Sequence, residues 1–478
     1  MGKIKWEHIW MSIEIQFLGA ARNVTGSRYL IKTDHTQLLV DCGLYQERRL
    51  QDRNWQPFEI PPQSLSSVII SHAHIDHCGL LPKLVKEGFA GPVFATEATA
   101  EIARISLTDA GKLQEEDAAF KKKRHEREGR KTKYPEIPLY TAEDARAISP
   151  LFKTVEYSRE TAVAEDITAT FHNAGHVFGS ASIELKIQEN HRQKVIVFSG
   201  DLGNWDRPIL KNPDLVNQAD YVVIESTYGD RTHQDINEAS LKLAEIINQT
   251  VQLGGNIVIP SFALERTQDL LFFLNRFMSE GKIPRLKVFV DSPMAISITK
   301  IFKEHPELYD RETSGWVNNG SSPFEFEGLY FTNKAADSKA ILAEKDPCII
   351  IAGSGMCTGG RIKHHLVNNI SRPESTILFV GFQATGTLGR LITDGAKEVR
   401  ILGQHYPVQA RIEELRAFSA HADQPTLLRW LKGFKNKPEM VFVTHGEPET
   451  STRFTETIKN TLGWQAKAPE YQEKFILD

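Results

Sequence analysis

Four potential metal ligands crowd into six residues of this chain, in Ser71-His72-Ala73-His74-Ile75-Asp76-His77-Cys78-Gly79, directly after the apolar run Val68-Ile69-Ile70. The loop therefore leaves the end of a buried strand. Neutral imidazole nitrogens and carboxylate oxygens are the donors zinc accepts. In a tight loop this spacing lets His72 and His74 face one ion while Asp76 and His77 face another. A polar loop whose histidines only satisfy backbone groups is the competing reading, but packing rarely clusters four ligand types. Such a loop cannot fill two coordination shells, so partners must come from elsewhere. His176, Asp201 and His445 each follow an apolar strand-like run (167–172, 195–198 and 441–444). A lone histidine at a strand end is more often structural than a ligand. With the 72–77 loop, however, these residues make seven donors, a number that suits two zinc ions per chain. His72, His74 and His176 are assigned to the first ion, Asp76, His77 and His445 to the second, with Asp201 bridging.

The rest of the chain reads as alternating elements. Between 12 and 40 apolar and polar positions alternate, as in short strands joined by glycine-containing turns. Further strand-like runs lie at 67–71, 93–95, 168–172, 183–187, 195–199 and 221–225, with helical periodicity at 98–110 and 241–253. The stretch 111–140 is highly charged and reads as an exposed helix plus loop. From about 235, strands at 256–260, 286–290 and 348–352 alternate with amphipathic helices, the pattern of a parallel sheet in a separate α/β unit. A length of 478 residues also favours more than one core. The expected division is a tail at 1–11, a first unit at 12–230, an insertion at 231–400 and a return to the first unit at 401–478.

Composition bounds the function loosely. Hydrophobic residues make up 41% and charged residues 25%, ordinary for a globular protein, and the net charge is −4. A nucleic-acid substrate would need a local basic surface, because the global field does not attract it. Cys42, Cys78, Cys348 and Cys357 show no CxxC spacing, which fits a reduced, cytoplasmic setting. No apolar run approaches the roughly 20 residues needed to span a bilayer, so no membrane role is expected. The amino terminus is too short and polar for a signal peptide.

The HxHxDH loop, Asp41 in Val40-Asp41-Cys42-Gly43, and His176, Asp201 and His445 together resemble the metallo-β-lactamase fold. Glu225 in Glu225-Ser226-Thr227-Tyr228-Gly229 resembles motif A of the β-CASP nucleases, His421 in Ser419-Ala420-His421-Ala422-Asp423 resembles motif B, and His445 resembles motif C. The likeness runs from about 12 to 478 but includes neither the amino-terminal KH modules of the archaeal type nor the extra carboxy-terminal domain of the ribonuclease J type. It implies an αββα sandwich with an inserted β-CASP domain carrying a parallel sheet. Histidine at motif C goes with the RNA-processing members, whereas DNA-repair members carry valine.

The resemblance implies a zinc-dependent endoribonuclease acting on single-stranded RNA by a two-metal hydroxide mechanism, with 5′–3′ exonuclease activity as a further capacity of the class. The products would carry 5′ phosphate and 3′ hydroxyl ends. It also implies that His421, oriented by Glu225, protonates the leaving 3′ oxygen. Asp41 has two readings: a residue fixing the tautomers of ligand histidines, or a turn residue before Gly43. Two glycine-rich loops could present backbone N–H groups to phosphate, making Ser354, Gly355, Arg361, Gly386, Thr387 and Arg390 candidates for substrate binding. His364 and His365 read as surface residues on a helix after Arg361. The Lys/Arg-rich run at 121–133 is either a solvated helix face or an RNA-backbone contact. A homodimer is compatible with this class, though no sequence patch marks an interface. A lactam or thioester hydrolase would explain the zinc donors but leave Glu225, His421 and the insertion without a task. A DNA nuclease is opposed only by His445, and a non-enzymatic scaffold by the full set of ligands.

Overall fold

The computed structural model describes residues 13–129, 136–189, 192–415 and 418–478, so the expected tail lies outside the described residues. Two seven-stranded sheets face each other. The first runs Lys474–Leu477, Ile13–Phe17, Tyr29–Lys32, Gln37–Val40, Ser67–Ile69, Val93–Thr96 and Phe152–Val155. The second runs Ala466–Lys467, Met440–Thr444, Tyr221–Glu225, Arg192–Phe198, Ala181–Glu189, Ile167–Asn173 and Thr161–Ala162. Side-chain alternation explains the layering. In Tyr221–Glu225, Tyr221 and Val223 enter the core between the sheets with Phe17, Ile31 and Phe198. Val222 and Ile224 point the other way, onto Trp430, Leu431 and Phe454 of the outer helices. A strand covered on both faces reads as a continuous apolar run, here Tyr221 to Ile224, with the buried Glu225 at its end. Helices carrying Leu84, Ile102 and Leu107 cover the other sheet through Leu39, Val68 and Ile70.

Tyr221–Glu225 and Met440–Thr444 are parallel neighbours, with Val223 opposite Phe442 and Glu225 opposite Thr444. The chain between them makes a third, all-parallel sheet: Leu329–Phe331, Lys287–Asp291, Cys348–Ala352, Ile257–Pro260, Thr376–Phe379 and Arg411–Glu414. Parallel strands need crossover helices, which cover both faces. Leu243, Leu270 and Phe273 pack on Ile257, Val288 and Ile349, while Ile362 and Leu366 pack on Val258, Ile350 and Ile377. The edge strand of this sheet comes from beyond position 400. Arg411–Glu414 pairs with Thr376–Phe379, and Val399, Ile401 and Ala410 join the same cluster.

The charged stretch is the outer half of one 32-residue helix, Glu97–Glu128. Its first half is buried through Ala98, Ile102 and Leu107, whereas Lys121 and Arg124 stand in solvent, paired with Asp117 and Glu128. In the described part of the basic run the side chains stand mostly in solvent, and 130–133 lie outside the described residues. Among the described residues no helix is long and apolar enough to cross a membrane.

Candidate metal centre

The residues singled out around the sequence loop converge at one edge of the sandwich, where strands deliver them at their carboxyl ends. Gln37–Val40 leads to Asp41, Ser67–Ile69 to the 72–77 loop, Ile167–Asn173 to His176, Arg192–Phe198 to Asp201 and Met440–Thr444 to His445. Two glycines let the loops meet. A Cβ on Gly203 would lie 1.7 Å from the Gly175 carbonyl oxygen, beside His176, and one on Gly43 would lie 1.6 Å from that of Asp76. Asp41 and His445 themselves hold positive φ angles of 60° and 50°. This conformation costs about 1–3 kcal/mol per non-glycine residue and persists only where the surroundings enforce it.

Two donor groups share Asp201. In the first, His72 Nε2 lies 3.0 Å from His74 Nδ1, which lies 3.3 Å from His176 Nε2, and both Nε2 atoms lie 3.5 Å from Asp201 Oδ2. In the second, His77 Nε2 lies 3.1 Å from His445 Nε2 and 3.3 Å from Asp201 Oδ1, while His445 Nε2 lies 3.5 Å from Asp76. Donors placed tetrahedrally around a metal at 2.0–2.1 Å would stand about 3.3 Å apart, which these separations match. Neither oxygen of the buried Asp201 carboxylate has a hydrogen-bond partner among the described residues. An ionised carboxylate left so would cost several kcal/mol unless a cation compensated it. The donor chemistry and spacing therefore fit divalent metal ions.

Protonation agrees. Burial, reinforced by neighbouring imidazoles, holds His72 and His176 well below the ordinary histidine pKa. Burial also brings His74 to about 4 against the pull of Asp76 and Asp201. Asp76 resists burial and falls to about 2 beside His445, His77 and His74. Asp201 likewise falls well below the carboxylate range, despite burial, next to His445, His77 and His421. His77 and His445 go up, because nearby carboxylates outweigh burial. A bound dication would displace those protons.

Behind the donors, hydrogen bonds fix which nitrogen faces inward. Asp41 accepts from the backbone N–H of Ser71 at 2.8 Å and the Ser71 hydroxyl at 2.9 Å, and its Oδ2 lies 2.7 Å from His77 Nδ1. Ser71 Oγ stands 3.1 Å from His72 Nδ1. Of the two readings of Asp41, this arrangement favours the tautomer-fixing one. Thr227 Oγ1 lies 3.0 Å from His445 Nδ1 and donates to the His445 carbonyl oxygen at 3.1 Å. Ser71 and Thr227 escaped the sequence reading, although each directly adjoins a motif. Replacing Thr227 by valine is expected to weaken metal affinity about 10- to 100-fold, as loss of such an orienting partner does; competition with a chelator measures it.

His421 stands beside the first donor group. Its Nδ1 lies 3.2 Å from both oxygens of Glu225 and 3.7 Å from Asp201 Oδ2. Burial disfavours its charge, but Glu225 and Asp201 overcome that and raise its pKa to about 9. Glu225 is fixed in turn by the backbone N–H groups of Leu202 at 2.8 Å and Thr227 at 3.3 Å. Asn204 Nδ2 donates to the His421 carbonyl oxygen at 2.7 Å, and His233 Nε2 lies 3.1 Å from it. Neither residue was evident from sequence, since both lie outside the motifs.

The candidate phosphate loops lie past the carboxyl ends of the third sheet's strands. Gln383 joins them by donating to the Gly355 carbonyl oxygen at 3.0 Å. Ser354 Oγ accepts from the N–H groups of Thr358 and Gly359, Gly386 holds φ 85°, and Thr387 caps the helix Leu388–Thr393. The two arginines are already engaged. Arg390 pairs with Asp394 at 2.7 Å. Arg361 binds Asp291 at 2.7 Å and the carbonyl oxygens of Thr332 and Asn333. His365, expected at the surface, is buried with Nε2 2.7 Å from Asp291. The reason is the buried Asp291 carboxylate, which also accepts from Thr332 and Ser338 at 2.6 Å. Asp291→Asn is expected to destabilise folding by about 2 kcal/mol, the range for hydrogen bonds to charged groups, as read by denaturant unfolding.

Comparison with known proteins agrees with this geometry. Residues 30–219 match the family model described as a metallo-beta-lactamase superfamily domain, and 267–392 match the Beta-Casp domain. Residues 405–469 match the Zn-dependent metallo-hydrolase RNA specificity domain. The chain is 36% identical to a Thermus thermophilus protein named Ribonuclease TTHA0252, over 90% of this chain and 92% of that one. It is 30% identical to an RNase J-like protein of Methanocaldococcus jannaschii, over 94% and 96% of the two chains. It is also 30% identical to that organism's Transcription termination factor FttA, over 96% of this chain and 70% of the relative. A solved Enterococcus faecalis structure of unknown function, 12% identical, shares the fold at a TM-score of 0.57 over 97% of this chain and 100% of that one. With its paired donor groups and its inserted parallel sheet, the chain belongs to the β-CASP family of metallo-β-lactamase-fold ribonucleases.

Proposed function

We propose that this protein hydrolyses phosphodiester bonds of single-stranded RNA with two zinc ions per chain, leaving 5′ phosphate and 3′ hydroxyl ends. The observation that carries the reading is His421, held by Glu225 and standing 3.7 Å from the Asp201 carboxylate that both donor groups share. His72, His74 and His176 would hold one ion, Asp76, His77 and His445 the other, with one Asp201 oxygen turned to each. Bound there, the ions would supply Lewis acidity to the diester and lower the pKa of a coordinated water.

The protein's own groups do the rest. His421 Nδ1–H is spent on Glu225, so Nε2 is the atom left to give a proton to the departing 3′ oxygen. The elevated pKa keeps that proton in place at neutral pH, and Glu225 stabilises the cationic ring until transfer. No step requires a 2′ hydroxyl, so a preference for RNA would come from binding contacts. The RNA substrate is further supported by relatives named as ribonucleases and by a match to an RNA specificity domain that spans both His421 and His445.

Cleavage of one single-stranded RNA, labelled at its 5′ end and separately at its 3′ end, tests this directly. Zinc-loaded protein should give fragments that accept ligation only as 5′ phosphate and 3′ hydroxyl ends. Turnover of a lactam or thioester with neither RNA cut would overturn the reading.

A further inference from the structure

Just past motif A the chain carries an aromatic ring that the metal chemistry does not use. Tyr228 follows a five-residue strand buried throughout, yet it is itself only half-buried. Its ring centre lies 6.2 Å from that of His421, at an interplanar angle of 59°. His233 meets it edge-on at 4.5 Å, and the exposed Arg231 guanidinium lies 5.8 Å from the ring centre. Among the described residues its hydroxyl has no hydrogen-bond partner.

This segment is tied to the loop that carries His421. Tyr228 bridges Asp423 through the backbone, Gln424 N–H donates to the Arg231 carbonyl oxygen at 3.0 Å, and His233 N–H donates to Asp423 at 3.1 Å. The ring is thus held at a fixed place relative to His421 and offers partly open surface beside it.

We propose that Tyr228, supported by His233 and Arg231, is a nucleobase-binding subsite for the nucleotide whose 3′ oxygen leaves. The inference rests on the RNA-cleaving reading above. His421 gives its proton to that oxygen, so the nucleotide bearing it must lie against His421. Its base is one sugar ring away from the oxygen, the scale of the 6.2 Å between the two protein rings. An aromatic face accepts any base, so the subsite grips a single strand without choosing its sequence. A paired base is already stacked within its helix and cannot reach the ring. The Arg231 guanidinium, itself paired with Asp230 at 2.8 Å, borders the ring.

The test uses a short single-stranded RNA whose cut site is mapped with a 5′ label. A second version lacks only the base on the 5′ side of that cut. Tyr228→Ala should lose about tenfold in kcat/KM on the intact strand, mostly through KM, as for loss of one stacked base. Removing the base should cost the wild-type protein as much, and the two changes together no more than either alone. Tyr228→Phe, which keeps the ring, should recover most of the loss, separating stacking from misfolding. Strictly additive losses, or a Tyr228→Phe as poor as Tyr228→Ala, would overturn the subsite alone. A wild-type protein that cuts neither strand would overturn the RNA reading and the subsite with it.

Discussion

Asp201→Ala is expected to abolish RNA cleavage and to strip metal from both positions together. Each of its oxygens faces a different donor group, and neither has a hydrogen-bond partner among the described residues. Its loss removes a ligand from each group and the only carboxylate common to both. What remains is His72, His74 and His176 on one side and Asp76, His77 and His445 on the other, with no carboxylate between them, so the affinity of each position falls with the other. Losing the electrostatic contribution of a metal pair, several kcal/mol, means at least about 1000-fold in rate. Elemental analysis alongside an end-labelled cleavage assay reads both effects. One metal retained at full occupancy in Asp201→Ala would show that the two groups are independent.

His421→Ala is the second large expectation, and it separates proton delivery from metal binding. The ring sits beside the first donor group but makes its bonds to Glu225 and through its backbone to Asn204 and His233. Its removal should leave metal content near the wild-type value while turnover falls about 100- to 10,000-fold, the usual worth of a positioned acid. The pH profile carries the same signature. The acid form is the active one, so the rate should fall as pH rises through the histidine pKa. That pKa is about 9 under the field of Glu225 and Asp201 and lower once cations share that field, so the basic limb should appear at or below pH 9. A substrate with a leaving group that needs no proton should lose this limb and regain much of the His421→Ala deficit. Loss of metal in His421→Ala would contradict the assignment.

The parts of this site legible in the sequence are those governed by short-range rules. Ligand chemistry and strand periodicity were enough to single out the 72–77 loop, because donors two and four residues apart cannot avoid one another. His176, Asp201 and His445 could be picked out because each ends an apolar run, and strands of one sheet deliver their ends to one edge. Glu225 and His445 meet for a reason no local pattern reveals: Tyr221–Glu225 and Met440–Thr444 are neighbouring strands with the whole third sheet threaded between them. The orienting partners Ser71 and Thr227 were hidden because a hydroxyl beside a histidine carries no signal until the ring's direction is known. His365 misled for the opposite reason. The helix pattern placed it near the surface, but the Asp291 carboxylate draws it inward with Arg361. Arg411–Glu414 is short and polar, so its sequence gives no hint that it pairs with Thr376–Phe379 at the edge of the third sheet.

The most direct measurement is the number of metal ions bound per chain, by elemental analysis of purified protein and of His445→Ala. Two equivalents in the wild type, with a selective fall in the second group for His445→Ala, is the outcome expected from two donor sets meeting at one carboxylate. Protein that binds no metal under any loading condition, or a content indifferent to His445, would contradict it.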